Sequence, residues 1–443
     1  MSRSRYLMGL PILLICLTCG TERSPASEQI LTAGTPAMLS YLIKDPQLRG
    51  EFSAEDSVIR FFAQPEEERS AFAMYRSEWP MWERCFAYLS DDSLVALYER
   101  KGDTLWTEAD FPILPEARSP FERDSSARLP LQGLRVAIDP GHVAGNQAMA
   151  ELEGKYVKIL PTEEGQDTIR FYEAELTLAT AWLIRDELEA LGAEVMMTRE
   201  TAHTGALGID FFSWKEAHWE RHLQEMVARE EMKAEDAQWW RTQAEDDIIY
   251  SRHYNRLDLK ARAEKINAYQ PDLNLMIHFN IHEPNWHNRD EEGYFPQTEA
   301  NYCMAFVPGS FMEGELNKPI DRLNFARLYF GNDLVNSLTL SDQFVQASID
   351  FTGVPAVTAA EGLPYLERAC IAADHPGVYA RNLSLTRLIR SPLCYGESLC
   401  QENRYESEML YQRDMEVRGH KVSSRVEAVA MAYIQAVKDF AGM

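Results

Sequence analysis

Leu134-Arg-Val-Ala-Ile-Asp-Pro-Gly-His142 is an apolar run that ends on a turn-forming stretch with an imidazole at its tip. Residues 134–138 read as a strand. Asp139, Pro140 and Gly141 then stop it, because proline withdraws a backbone donor and glycine opens conformations closed to other residues. Downstream, Leu176, Ala179, Leu183, Glu187 and Leu191 repeat at helical spacing over residues 173–191, and Gly192 supplies a stop signal. Residues 194–198 form the next strand, 257–269 a helix, and 273–277 a strand that delivers His278. Further strands are expected at 302–307, 383–389 and 393–396, with helices at 323–338 and 425–440. Strands alternating with helices in this way imply an α/β fold whose mainly parallel, twisted sheet lies between helices.

The rest of the chain is organised around that unit. Its 443 residues exceed what one hydrophobic core usually organises, so a main domain with a smaller module or large insertions is expected. Residues 28–115 read as a mostly helical region that carries no chemistry-bearing motif. The polar, proline-punctuated stretch 116–130 reads as a linker. The main domain spans 131–443, with insertions at about 200–257 and 285–320. At the N-terminus, Arg3 and Arg5 precede an apolar run over 7–17, the pattern of a secretory signal peptide covering residues 1–19. Cys19 stands where a bacterial lipoprotein carries its acylated cysteine; plain cleavage and an uncleaved anchor are the alternatives. Each version exports the body of the protein to the periplasm or cell envelope. Cys85, Cys303, Cys370, Cys394 and Cys400 have no zinc-finger spacing and read as buried thiols. The net charge of −25, from 69 acidic against 44 basic residues, argues against nucleic acid and anionic lipid surfaces as general partners.

In open α/β sheets the functional crevice lies outside the carboxyl ends of the strands. His142, His278 and Glu397 each end a strand there, and Glu173 opens a helix. Two imidazoles and a carboxylate, with one position left for water, are the ligand set of a catalytic zinc site. Taken alone, each residue also has a structural reading. A strand-end histidine can simply be hydrogen bonded, and Glu173 or Glu175 could serve a helix N-terminus equally well. Glu397, set among Leu393, Cys394, Tyr395 and Leu399, must be paired, neutralised or functional.

Four blocks of this sequence resemble the N-acetylmuramoyl-L-alanine amidases, the zinc-dependent bacterial cell-wall hydrolases of amidase type 3. Val136-Ala-Ile-Asp-Pro-Gly-His142 is similar to that family's first strand and histidine ligand. Glu173-Ala-Glu-Leu176 followed by Leu191-Gly-Ala-Glu-Val195-Met-Met-Thr-Arg199 resembles the glutamate ligand, helix, strand and closing threonine-arginine, in the register that selects Glu173 over Glu175. Leu259-Lys-Ala-Arg262 with His278-Phe-Asn280 resembles the helix and strand of the second histidine. Pro392-Leu-Cys-Tyr-Gly-Glu397 through Asn403 resembles the strand of the catalytic glutamate. After His142 the chain runs Val143-Ala144-Gly145 where the family usually has glycines, so a differently shaped first loop is expected.

The resemblance implies Zn2+ held by His142, Glu173 and His278, with Glu397 as general base in cleaving the amide between N-acetylmuramic acid and L-alanine of peptidoglycan. Arg262, Asn280 and Asn403 are second candidates, for substrate binding or for orienting ligands. Hydrolysis of another amide or peptide, or a non-catalytic cell-wall binding role that keeps the fold, remain the alternatives. The 200–257 insertion, with Trp214, Trp219, Trp239 and Trp240, reads as a helical hairpin packed on the domain, or else as a groove wall for substrate or a regulatory protein. Residues 308–319, with Glu313 and Glu315, are a second candidate for such a partner, or for an autoinhibitory plug over the metal.

Overall fold

Residues 32–115 are more than helices. Phe52–Glu55 (β1), Val58–Phe61 (β2) and Phe72–Tyr75 (β3) pair as an antiparallel three-stranded sheet where a mostly helical region was expected. Helices Trp79–Tyr88 and Asp91–Lys101 follow, the second capped by the Ser90 hydroxyl and carrying Asp91 and Asp92 in its first turn. This sheet is no isolated module. The rings of Phe52 and Phe61 lie 4.9 and 6.1 Å from Phe325 on helix Pro319–Phe330, so one apolar cluster joins both parts. The computed structural model describes residues 31–63, 69–160 and 167–443, and Thr32–Met443 pack as one unit. The expected signal peptide and Cys19 lie outside the described residues. Residues 112–130 contain no helix or strand, yet the strap is pinned: Asp272 accepts hydrogen bonds from Arg118 and from the Phe121 amide.

The central sheet is built from β4 (Arg135–Pro140), β7 (Glu194–Met197), β8 (Leu273–Asn280), β9 (Met304–Val307), β10 (Cys370–Ala372), β11 (Val378–Arg381) and β12 (Leu393–Cys400). The hairpin of β5 (Tyr156–Ile159) and β6 (Ile169–Tyr172) stands apart from it. The strand order is β10-β11-β9-β12-β8-β4-β7. Pairings β7·β4, β4·β8, β8·β12 and β9·β11 are parallel, and only β12·β9 and β10·β11 are antiparallel. This is the mainly parallel sheet expected, with β8 buried along its whole length as a central strand requires. Helices Glu173–Ala190, Asp333–Thr352 and Arg425–Phe440 cover one face, and Asn255–Tyr269 the other. Gly396 marks how closely the first layer approaches: a Cβ there would fall 2.3 Å from the Tyr433 hydroxyl, which donates to the carbonyls of Met276 and Gly396.

Two expected elements change. Residues 383–389 form a short helix, Ser384–Leu388, after strand β11. A short apolar run does not distinguish strand from helix, and the buried Thr386 hydroxyl decides here, accepting from the Leu383 amide and donating to the Arg381 carbonyl. The single helix expected at 323–338 is two, Pro319–Phe330 and Asp333–Thr352. They part at Gly331, where a Cβ would lie 2.8 Å from the Arg327 carbonyl and 3.1 Å from the Trp79 ring.

Candidate active site

The loop after β4 is held by two buried arginines. Arg262 donates through Nη1 to Asp139 Oδ1 and the Pro140 carbonyl, both at 3.0 Å, through Nη2 to the His142 carbonyl at 3.3 Å, and through Nε to Asp258 at 2.7 Å. Arg199 donates to the carbonyls of Pro140, Gly141 and Ala174. The Thr198 hydroxyl donates to Asp139. The loop therefore has little freedom, and His142 is fixed at φ 60°, a left-handed conformation uncommon for a residue with a Cβ. Position 141 has to be glycine, because a Cβ there would lie 2.3 Å from the His278 ring.

His142, Glu173 and His278 converge. His142 Nε2 lies 3.3 Å from Glu173 Oε1 and 3.2 Å from His278 Nδ1, and His278 Nδ1 lies 3.4 Å from Glu173 Oε1. Three ligands bound at about 2.0–2.1 Å on a tetrahedral ion stand about 1.6 bond lengths apart, near 3.3 Å, so the triangle fits zinc. Among the described residues this is the one group of three or more His, Cys, Asp and Glu side chains placed to share a metal. The donor atoms are also oriented from behind. Glu173 Oε1 accepts from the Phe279 amide and its Oε2 from Gln401 Nε2, each at 3.0 Å. His142 Nδ1 faces Glu153 Oε1 at 3.2 Å, the carboxylate–imidazole arrangement that fixes a ligand's tautomer. Glu153 is held in turn by the amides of Val143 and Ala144 and by the Tyr250 hydroxyl at 3.0 Å. Glu175 is outside the cluster, half-buried and 3.8 Å from Arg413.

The electrostatics suit a cation. Burial works against charge on His142, yet Glu173 and then Glu153 outweigh it and raise the imidazole to about 9. Burial likewise opposes the Glu173 charge, and His142 with Lys155 overcomes it, holding that carboxylate well below its usual range. His278 is pushed down to about 4, chiefly by burial, which leaves it neutral as a ligand must be. Two carboxylates facing one imidazole form a charge set that a dication satisfies better than a proton.

Glu397 sits beside this cluster, opposite His278 in the register of β12 and β8. Burial and then the Glu173 charge push its carboxyl up to about 7. The ring of Tyr395 stacks on His278, with centroids 4.4 Å apart and planes 7° apart. His142, His278, Glu397, Lys155, Asn280, Trp286 and Arg381 are among the residues that line one cleft of about 380 Å³.

The remaining expected residues divide. Asn280 lines the cleft, its Oδ1 accepting from the Ile281 amide while Nδ2 is buried without a partner among the described residues. Arg262 supports the His142 loop from behind. Asn403 is away from the cleft. Its Oδ1 caps helix Arg404–Tyr411 and its amide donates to the carbonyls of Thr298 and Ala300, which leaves nothing for substrate. The plug reading of 308–319 is overturned. This segment bonds to the N-terminal region through Ser310 and Phe311, and Glu315 accepts from the Met312 amide and Asn382, away from the metal cluster. In the 200–257 insertion, helices Phe211–Ala228 and Ala234–Thr242 bury Trp214 and Trp219 and pack Trp240 against them, and none of these residues lines the cleft. Sequence reasoning missed Glu153, Gln401 and Arg381; the first lies in the 143–172 excursion, where no spacing signals it.

Residues 136–295 match the family model described as N-acetylmuramoyl-L-alanine amidase. The likeness to that family is carried by this stretch. The amidase match spans β4, Glu173 and β8, and so takes in all three clustered side chains. Solved structures similar to this chain include the apo form of an N-acetylmuramyl-L-alanine amidase of Mycobacterium abscessus, at 15% identity over 70% of this chain and 99% of that one, with a TM-score of 0.36. The catalytic domain of an N-acetylmuramoyl-L-alanine amidase of Bacillus (Paenibacillus) polymyxa var. colistinus shows 14% identity over 69% and 97%, with a TM-score of 0.34. An N-acetylmuramoyl-L-alanine amidase of Nostoc punctiforme shows 12% identity over 71% and 99%, with a TM-score of 0.35. No curated protein matches the chain.

Proposed function

We propose that this protein hydrolyses the amide joining the lactyl group of N-acetylmuramic acid to L-alanine in peptidoglycan, with His142, Glu173 and His278 as the residues that would hold zinc. The observation that carries the reading is the triangle of donor atoms at 3.2–3.4 Å with Glu397 beside it in one cleft. Zinc there supplies Lewis acidity toward a carbonyl and toward water. Glu397 accepts the proton of the attacking water and delivers it to the departing alanine nitrogen. An ordinary carboxylate is a weak base near neutral pH. Burial beside Glu173 lifts Glu397 to about 7, which matches the task. Tyr395, stacked on His278, keeps that ring in place, and Gln401 does the same for Glu173. The substrate and the exit signal 1–19 agree on a cell-envelope location, with Cys19 as the acylation site of an anchored form. Digestion of purified sacci tests the activity: new peptides with free L-alanine amino termini are expected, and they should disappear on chelation. Release of sugars alone, or turnover indifferent to chelator, would refute it.

A further inference from the structure

Besides its histidines, the cleft is lined by one lysine and two arginines, and they are not equivalent. Lys155 Nζ lies 3.9 Å from Glu173 Oε2. Arg289 donates to the carbonyls of Gly154 and Tyr156. Arg381, the last residue of β11, makes no hydrogen bond or ion pair through its guanidinium among the described residues. It rests instead on two rings, 4.9 Å from the centroid of Phe306 and 5.1 Å from that of Tyr365. A guanidinium carries donors in a rigid planar fork, and aromatic faces fix its plane without using any of them. The chain is not short of acids to pair it with, having 69 against 44 basic residues. An arginine packed on two rings in the cleft that Glu397 also lines, with its donors unspent, is arranged for an anion from outside.

We propose that Arg381 is a carboxylate-binding subsite for the peptide portion of the substrate, a reading that rests on the amide hydrolysis proposed above. The chemistry selects the peptide side. Forming the amide consumes the lactyl carboxyl and leaves the acetylated sugar neutral, whereas a peptide keeps its terminal carboxylate and any acidic side chain. The planar fork matches a carboxylate with two parallel hydrogen bonds. Arg381 therefore discriminates substrates by the charge on their peptide, and it takes no part in moving protons.

The test uses N-acetylmuramoyl-L-alanyl-D-isoglutamine, which has one free carboxylate, and the same compound with that carboxylate converted to the amide. Both are titrated calorimetrically into the full chain stripped of metal, so that no hydrolysis intervenes. Charge-assisted hydrogen bonds predict that the wild type binds the carboxylate form about 10- to 100-fold more tightly than the amide form. Arg381→Gln should erase the difference, and Arg381→Lys should keep part of it. Equal affinity for both probes, no measurable binding of either, or discrimination that survives Arg381→Gln would overturn the subsite. If Arg381→Gln erases the discrimination while the zinc-loaded wild type hydrolyses neither probe nor sacci, the subsite stands and the amidase reading fails.

Discussion

Among the described residues two pairs of imidazoles touch, and only one of these pairs has the surroundings of a metal site. His142 and His278 meet at 3.2 Å with ring planes 89° apart; His222 and His253 meet at 3.0 Å with planes 81° apart. The first pair faces Glu173 and Glu153. The second is enclosed by aromatic rings, with Trp219 at 4.9 Å and Trp240 at 4.4 Å from His253, whose Nε2 is buried without a partner among the described residues. The consequences differ at one ring. In the first pair carboxylates raise His142 to about 9 although burial pushes its neighbour His278 down to about 4, whereas in the second, burial and then His222 push His253 down to about 4, and burial also lowers His222. Imidazoles in contact do not make a metal site; a carboxylate, with the amides and Gln401 that aim it, does.

The largest effect should separate the pairs directly. His278→Ala is expected to abolish stoichiometric zinc and all turnover, while His253→Ala leaves zinc content unchanged; elemental analysis of both variants reads this, and zinc lost from His253→Ala would break the contrast. Next, Glu397→Gln should retain zinc while turnover falls about 10²- to 10⁴-fold, the usual worth of a general base. Steady-state rates on sacci measure it, and near wild-type rates would remove Glu397 from the chemistry. A smaller effect is expected at Glu153→Gln. Losing the carboxylate behind His142 Nδ1 should weaken zinc about 10- to 100-fold in a competition titration with a chromophoric chelator, since outer carboxylates carry effects of that size.

The smallest effect belongs to the aromatic pair and is one of stability. The folded pKa of His253, about 4, is below the ordinary 6.5, so between those values the unfolded chain binds more protons. The stability contributed by the neutral ring is full above about pH 6.5 and is lost as pH falls toward 4. Melting midpoints should therefore drop between pH 7 and pH 5, and His253→Phe should flatten that slope. An unchanged slope would show that the pair titrates as in the unfolded chain.

Legibility in the sequence followed chemical distinctiveness. The strand ending at His142, the helix opening at Glu173 and the central strands β8 and β12 were readable because periodicity and stop residues agree there. The stretch 383–389 misled because an apolar run of that length suits strand or helix, and a threonine's hydrogen bonds chose. The close packing at Gly331 was hidden because one of the groups that leave no room for a Cβ there, the Trp79 ring, is about 250 residues away in sequence. Glu153 and Arg381 carried no spacing signal, since their meaning lies in the imidazole and the rings they meet.

By itself, then, the sequence determined the alternating α/β layout, the strand-end histidines and the choice of Glu173 through its resemblance to a family. Each of these is local, because backbone periodicity and turn chemistry act over a few residues. Only the tertiary structure decided that His142, Glu173 and His278 share one point, that Glu153 stands behind His142, and that the Trp-rich insertion is a packed cluster away from the cleft. Those are contacts between residues remote along the chain, and a metal geometry exists only when such residues are brought within a few ångströms of each other.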